Sequence, residues 1–174
     1  KSSKFTFKEN TIKLNAVNCS LEGYYEMFES YDDMRLELDA SKTSFKDFLS
    51  LVPAFYRTGY ESMVSSGSLS LNALLDGKMD DTNMPAWDVS MKVSNGSVKY
   101  AGLPGKINDI KIDAGSKFPG GSDYNKMTVE MPEFHAKLGK NTLDANLFLS
   151  NLEVDPLIKS GIHTNVDLAT LKNY

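Results

Sequence analysis

The sequence predicts a mostly β protein: a curled antiparallel sheet, groove-like or partly open and barrel-like, with one or two short helices near residues 44–64. Three observations predict it. Apolar and polar residues alternate through most of the chain, the signature of strands with one buried face. Turn signals such as Gly139-Lys140-Asn141 and Asp155-Pro156 separate the alternating stretches, as short antiparallel connections require. The pattern changes to a helical period at Ser44 to Val52.

In chain order, Lys4 to Lys8 reads K-F-T-F-K, and Thr11 to Val17 puts Ile12, Leu14 and Ala16 on one face. Met34, Leu36, Leu38 and Ala40 alternate with Arg35, Glu37 and Asp39. Then Phe45, Phe48, Leu49 and Val52 fall at i, i+3, i+4 and i+7, one stripe of a helix. Ser44 with Asp47 makes a variant capping box, and Pro53 ends this helix or starts the next. A second helical stretch is expected to run to about Val64 and stop near Gly67.

After Gly67 the period returns to two. Leu69, Leu71, Ala73 and Leu75 form one strand face, and Trp87, Val89, Met91 and Val93 another. Asn95-Gly96 follows directly and predicts a type I′ hairpin, with Val98 to Tyr100 as the returning strand. Further strands are expected at 107–114, 126–131, 134–138, 142–151 and 162–166, with a loop at Gly120-Gly121-Ser122-Asp123 and a terminal helical turn at 167–171. The whole, residues 1–174, reads as a single β-rich domain. It begins in mid-pattern at Lys1, so it is expected to be a fragment of a longer membrane-anchored protein.

Composition narrows the function. The chain has 19 basic and 23 acidic residues, well mixed, for a net charge of −4. Nucleic-acid affinity comes mainly from phosphate neutralisation, so no nucleic-acid partner is expected. No apolar run approaches the ~20 residues of a spanning helix, and any membrane contact is expected only through an anchor outside the fragment. Cys19 has no internal disulfide partner and no cationic neighbour to activate it.

No catalytic set emerges. His135 and His163 lie on polar strand faces without Cys, His or carboxylate neighbours at ligand spacing, so neither a metal nor a cofactor is expected. Asp32-Asp33 and Asp80-Asp81 lack the further oxygens of a calcium loop and read as turn residues. Gly102-Leu103-Pro104-Gly105 and Gly120-Gly121 lack the Gly-Lys-Ser/Thr of a phosphate loop. A β-fold hydrolase would need one histidine beside an acid and a nucleophile.

The unusual feature is the length of the apolar faces. Leu69, Leu71, Ala73, Trp87, Val89, Met91, Ile110, Ile112, Leu143, Ala145 and Leu147 are expected to share one interior. That interior is either a core filled by its own side chains or an apolar groove open to a ligand.

Several stretches, in order, resemble the AsmA-like family of bacterial envelope proteins in its Bacteroidetes-type form. They are Phe45-Lys46-Asp47-Phe48-Leu49-Ser50-Leu51-Val52-Pro53-Ala54-Phe55-Tyr56, then Met84-Pro85-Ala86-Trp87 followed by an alternating strand, Asn95-Gly96 and Tyr100-Ala101-Gly102-Leu103-Pro104. Phe134-His135, Gly139-Lys140-Asn141, Val154-Asp155-Pro156, Gly161 and Asp167-Leu168 complete the match, over roughly residues 40–174. Ala101 stands where the family tends to have proline, and Thr142 where it often has one. The resemblance implies a non-enzymatic protein on the periplasmic side of the inner membrane, linked to outer-membrane biogenesis and phospholipid movement. It also implies a sheet curled into an apolar groove, with phospholipid acyl chains and neighbouring segments of the parent chain as partners. The competing expectation is a closed β-sandwich or barrel serving as a structural or protein-interaction module without a ligand.

Overall fold

A computed structural model of the chain describes residues 1–41, 43–49, 63–99 and 105–167. These residues form one antiparallel sheet of eleven strands and one short helix. The strands are β1 (Ser3–Phe7), β2 (Ile12–Leu14), β3 (Val17–Met27), β4 (Asp32–Asp39), β5 (Thr43–Ser44) and β6 (Val64–Met79). They continue with β7 (Ala86–Lys99), β8 (Ile107–Phe118), β9 (Thr128–Leu138), β10 (Asn141–Ser150) and β11 (Leu157–Asn165). Helix α1 (Phe45–Leu49) follows β5 directly, and a 3-10 turn (Tyr124–Lys126) lies between β8 and β9.

The spatial order is β1-β3-β4-β6-β7-β8-β9-β10-β11, with β2 added on β3 and β5 on β6. Nearly every strand therefore pairs with its neighbour in sequence, as short hairpin connections favour. The sheet is not closed: among the described residues β1 pairs only with β3, and β11 only with β10. The closed sandwich or barrel is thereby excluded, and the expected open, helix-bearing antiparallel sheet is the fold.

Local chemistry explains the elements. Ser44 accepts the backbone N–H of Asp47 at 3.0 Å and so caps α1. Phe45 is buried, and Phe48 and Leu49 pack beside it, which is three quarters of the helical stripe; Val52 lies outside the described residues. Gly139 (φ 60) and Lys140 form the two-residue turn between β9 and β10.

Several strands run through residues that read as stops. Val64 to Gly67, expected as the end of a second helix, is the beginning of β6; the part of that expected helix from Pro53 to residue 62 lies outside the described residues. Asn95-Gly96 is not a hairpin. Strand β7 continues through it to Lys99, and the registers to β6 and β8 both shift there. The reason is the partner strand. Gly67 (φ 117) faces Gly96 so closely that a Cβ on Gly67 would lie 2.6 Å from the Gly96 Cα. Paired glycines and the positive φ of Asn95 (52°) make a double bulge, using the same backbone freedom that a tight turn needs.

Strand β9 likewise joins two stretches expected to be separate, 126–131 and 134–138. Pro132 and Glu133 together oppose Asn146, a bulge where the missing proline N–H does not break the ladder. In the other direction, Thr11 to Val17 is not one strand. Asn15 (φ 53) and Ala16 turn β2 back onto β3. Asp32-Asp33 lies at the start of β4 rather than in a loop. β11 starts five residues before the expected strand, and the terminal turn beyond Asp167 lies outside the described residues.

Two apolar clusters hold one end of the sheet. Phe45 of α1 packs on Leu69, Val93 and Ile110, while Val17, Cys19 and Ala40 pack around Ile12 and Leu38. Leu71 touches both clusters. Near the opposite end of β7 and β8, Phe118 is buried between Trp87 and Tyr124, at centroid distances of 4.5 and 5.4 Å.

Candidate functional site: an open apolar face

Residues directly opposite in an antiparallel ladder point to the same side of the sheet. The registers therefore define faces. Leu21, Leu38, Ala73, Val89, Ser116, Val129, Leu149 and Ile158 are successive partners on eight adjacent strands. A second row runs Leu69, Val93, Ile112, Phe134, Ala145, Ile162 over six. The only hydroxyl in these rows, Ser116, accepts the Trp87 indole N–H at 3.1 Å, so it is satisfied without water.

All eleven residues expected to share an interior lie on this face. They do not share one environment. Leu69 and Ile110 are buried beneath α1 and are core. Leu71, Ala73, Trp87, Val89, Met91, Ile112, Ala145 and Leu147 are half-buried, and Leu143 is exposed. Exposure rises toward the sheet edge, reaching 64% at Ile158 and 74% at Ile162. Among the described residues, α1 covers the face at β6–β8 and no element covers it from β9 to β11.

Sequence reasoning missed the outer parts of this surface. Leu21 on β3, Val129 and Met131 on β9, and Ile158 and Ile162 on β11 belong to it. The signal was present as Val17-x-Cys19-x-Leu21-x-Gly23-x-Tyr25 and as Ile158-x-Ser160-x-Ile162, where polar and small residues on the apolar face hide the alternation.

The reverse face is ionic. Arg35 pairs with Asp76, Lys92 with Asp113, and Lys117 with Asp88, each directly across the ladder. His135 is more engaged than a solvated strand histidine. Its Nδ1 lies 2.6 Å from Asp144 and its Nε2 3.5 Å from Asp109, which also binds Lys137 at 2.7 Å. Lys137 holds the Asp109 carboxyl below its ordinary pKa. Both ring nitrogens of His135 therefore face carboxylates. His163 is exposed, opposite Asp144. Cys19 is buried and directs its thiol to the Ile12 carbonyl. Among the described residues, no three His, Cys, Asp or Glu side chains gather as metal ligands, and no helix is long and apolar enough to cross a membrane.

No protein-family model, no curated protein and no solved structure matches the chain.

Proposed function

We propose that the chain is a non-enzymatic segment of a bacterial cell-envelope protein that holds phospholipid acyl chains along this apolar face. Its place would be the periplasmic side of the inner membrane, in outer-membrane biogenesis or phospholipid handling. The resemblance to AsmA-like proteins suggests the setting, and one observation carries the reading. A largely apolar row crosses eight strands, and among the described residues no second layer lies over its β9–β11 part. A soluble domain seldom leaves a contiguous apolar surface of that kind unless something binds it. An acyl chain has no hydrogen bonds to satisfy, so it needs only continuous hydrocarbon. Each CH₂ taken from water contributes about 0.8 kcal/mol. The ionic reverse face keeps the opposite side wet.

The test uses the chain, vesicles of phosphatidylethanolamine and phosphatidylglycerol, and native mass spectrometry. Leu147→Glu puts a charge on the open part of the face, away from the α1 core. The expected result is phospholipid retained by the parent chain and lost in the variant, with the circular dichroism of both alike. An empty parent chain would remove the proposal. A protein-interaction module is the second reading, and the exposed isoleucines of β11 favour it.

A further inference from the structure

The two edges of the sheet are built differently. β1 has five residues, is flanked by Lys1 and Lys8, and carries Lys4. Short, lysine-guarded edges discourage further pairing. β11 has nine residues, no proline, a single Lys, and two isoleucines left 64% and 74% exposed. Its outer backbone groups face no strand among the described residues.

We propose that β11 is an interaction surface for a second copy of this chain, paired antiparallel about a two-fold axis at Ser160. This inference stands whether or not the apolar face binds lipid. The strand's own sequence selects the register. With Ser160 opposite Ser160, Ile158 of each copy meets Ile162 of the other on the apolar face, twice by symmetry. Cross-strand β-branched pairs of this kind stabilise a ladder. A two-fold axis normal to the sheet keeps both apolar faces on one side, so the two faces merge into one.

The reverse face fits as well. In the same register Lys159 lies opposite Gly161, which has no side chain to oppose it. Beside Gly161 is a depression of about 400 Å³ whose polar side chains are Glu133, Asp144, Asn146 and His163. The Asn146 amide already lies over Gly161, within 3.0 Å of where a Cβ would be. Strands are about 4.8 Å apart, so the Lys159 stem runs beside the Asn146 amide that lies over Gly161 and brings its ammonium toward that amide and the Asp144 carboxylate of β10. The contact is isologous and closes at two copies.

Sedimentation velocity of the chain over a range of concentrations tests the proposal. The expected result is a monomer–dimer equilibrium with a dimer of twice 19.3 kDa. Lys159→Glu, at a solvent-facing position, is expected to weaken the dimer by about tenfold or more, because symmetry repeats the change. Were Lys159 a guard against pairing, Lys159→Ala would strengthen the dimer; here it weakens it. Register is read by oxidative cross-linking: Ser160→Cys in a Cys19→Ser background is expected to join two copies, and Leu157→Cys is not. A monomer at every concentration overturns the proposal. So does a dimer that survives Lys159→Glu unchanged but is lost in Phe5→Lys on the β1 edge.

Discussion

The α1-covered end of the sheet and its β9–β11 flank are written in the same pattern and end in different states. In β6 the alternation of Leu69, Leu71 and Ala73 leads to a core in which Leu69 is 1% exposed. In β10 and β11 the alternation of Leu143, Ala145 and Leu147, or of Ile158 and Ile162, leads to a half-open surface. The strands do not differ in kind. Among the described residues, what differs is one turn and a half of helix carrying Phe45, Phe48 and Leu49. A period of two says that a face is apolar; only a covering element decides whether it is core or binding surface.

The largest expected effect breaks the covered side. Phe45→Ala removes the aromatic anchor from Leu69, Val93 and Ile110 and is expected to cost about 3–5 kcal/mol, as for other buried aromatics. Phe134→Ala, on the flank in the same row as Leu69, is expected to cost less, because Phe134 is only half-buried and lies outside the α1 cluster. Urea unfolding of both variants checks the pair. Equal losses would mean that the flank is as well packed as the α1 end, contrary to the comparison.

A smaller effect is expected from the backbone beneath the cover. Gly67→Ala places a Cβ against the Gly96 backbone at a φ that L-residues rarely adopt, a strain of about 1–3 kcal/mol. The same change at Gly121, where nothing lies within 4 Å of the added atom, meets strain of φ alone. Thermal melts are expected to rank Gly67→Ala as the more damaging. The ranking would reverse if the Gly67–Gly96 bulge were loose.

These glycines also show why the fold was only partly legible. The open antiparallel class, α1 and its Ser44 cap, the Gly139-Lys140 turn and the shared face of eleven residues could be read from period and local chemistry. Strand ends could not. Gly67, Asn95-Gly96 and Pro132 carry turn chemistry, and each lies inside a strand as a bulge. A positive φ or a missing N–H serves a turn and a bulge equally; the choice is made by the residue across the ladder, Gly96 for Gly67 and Asn146 for Pro132. Asn15-Ala16 is the converse, a turn inside an unbroken alternation. The His135 network was hidden for the same reason: Asp144 becomes its neighbour only through the β9–β10 register.

The smallest expected effect lies far from both apolar clusters, in the loop between β6 and β7. Asp80 accepts hydrogen bonds from the Asn83 side chain, from the backbone N–H groups of Thr82 and Asn83, and from the Thr82 hydroxyl. These bonds favour the charged form, that of the Asn83 side chain most, and hold the Asp80 carboxyl well below its ordinary range. A depressed carboxylate pKa contributes stability that is fully present above the unfolded value. The contribution fades as pH falls from about 4 toward the folded value. Asp80→Ala is therefore expected to lower the urea midpoint slightly and evenly from neutral pH down to about pH 4. Below that, parent and variant should converge. A gap that widened in acid would mean that Asp80 is held neutral, and that the β6–β7 loop is ordered by apolar packing, as the α1 end is.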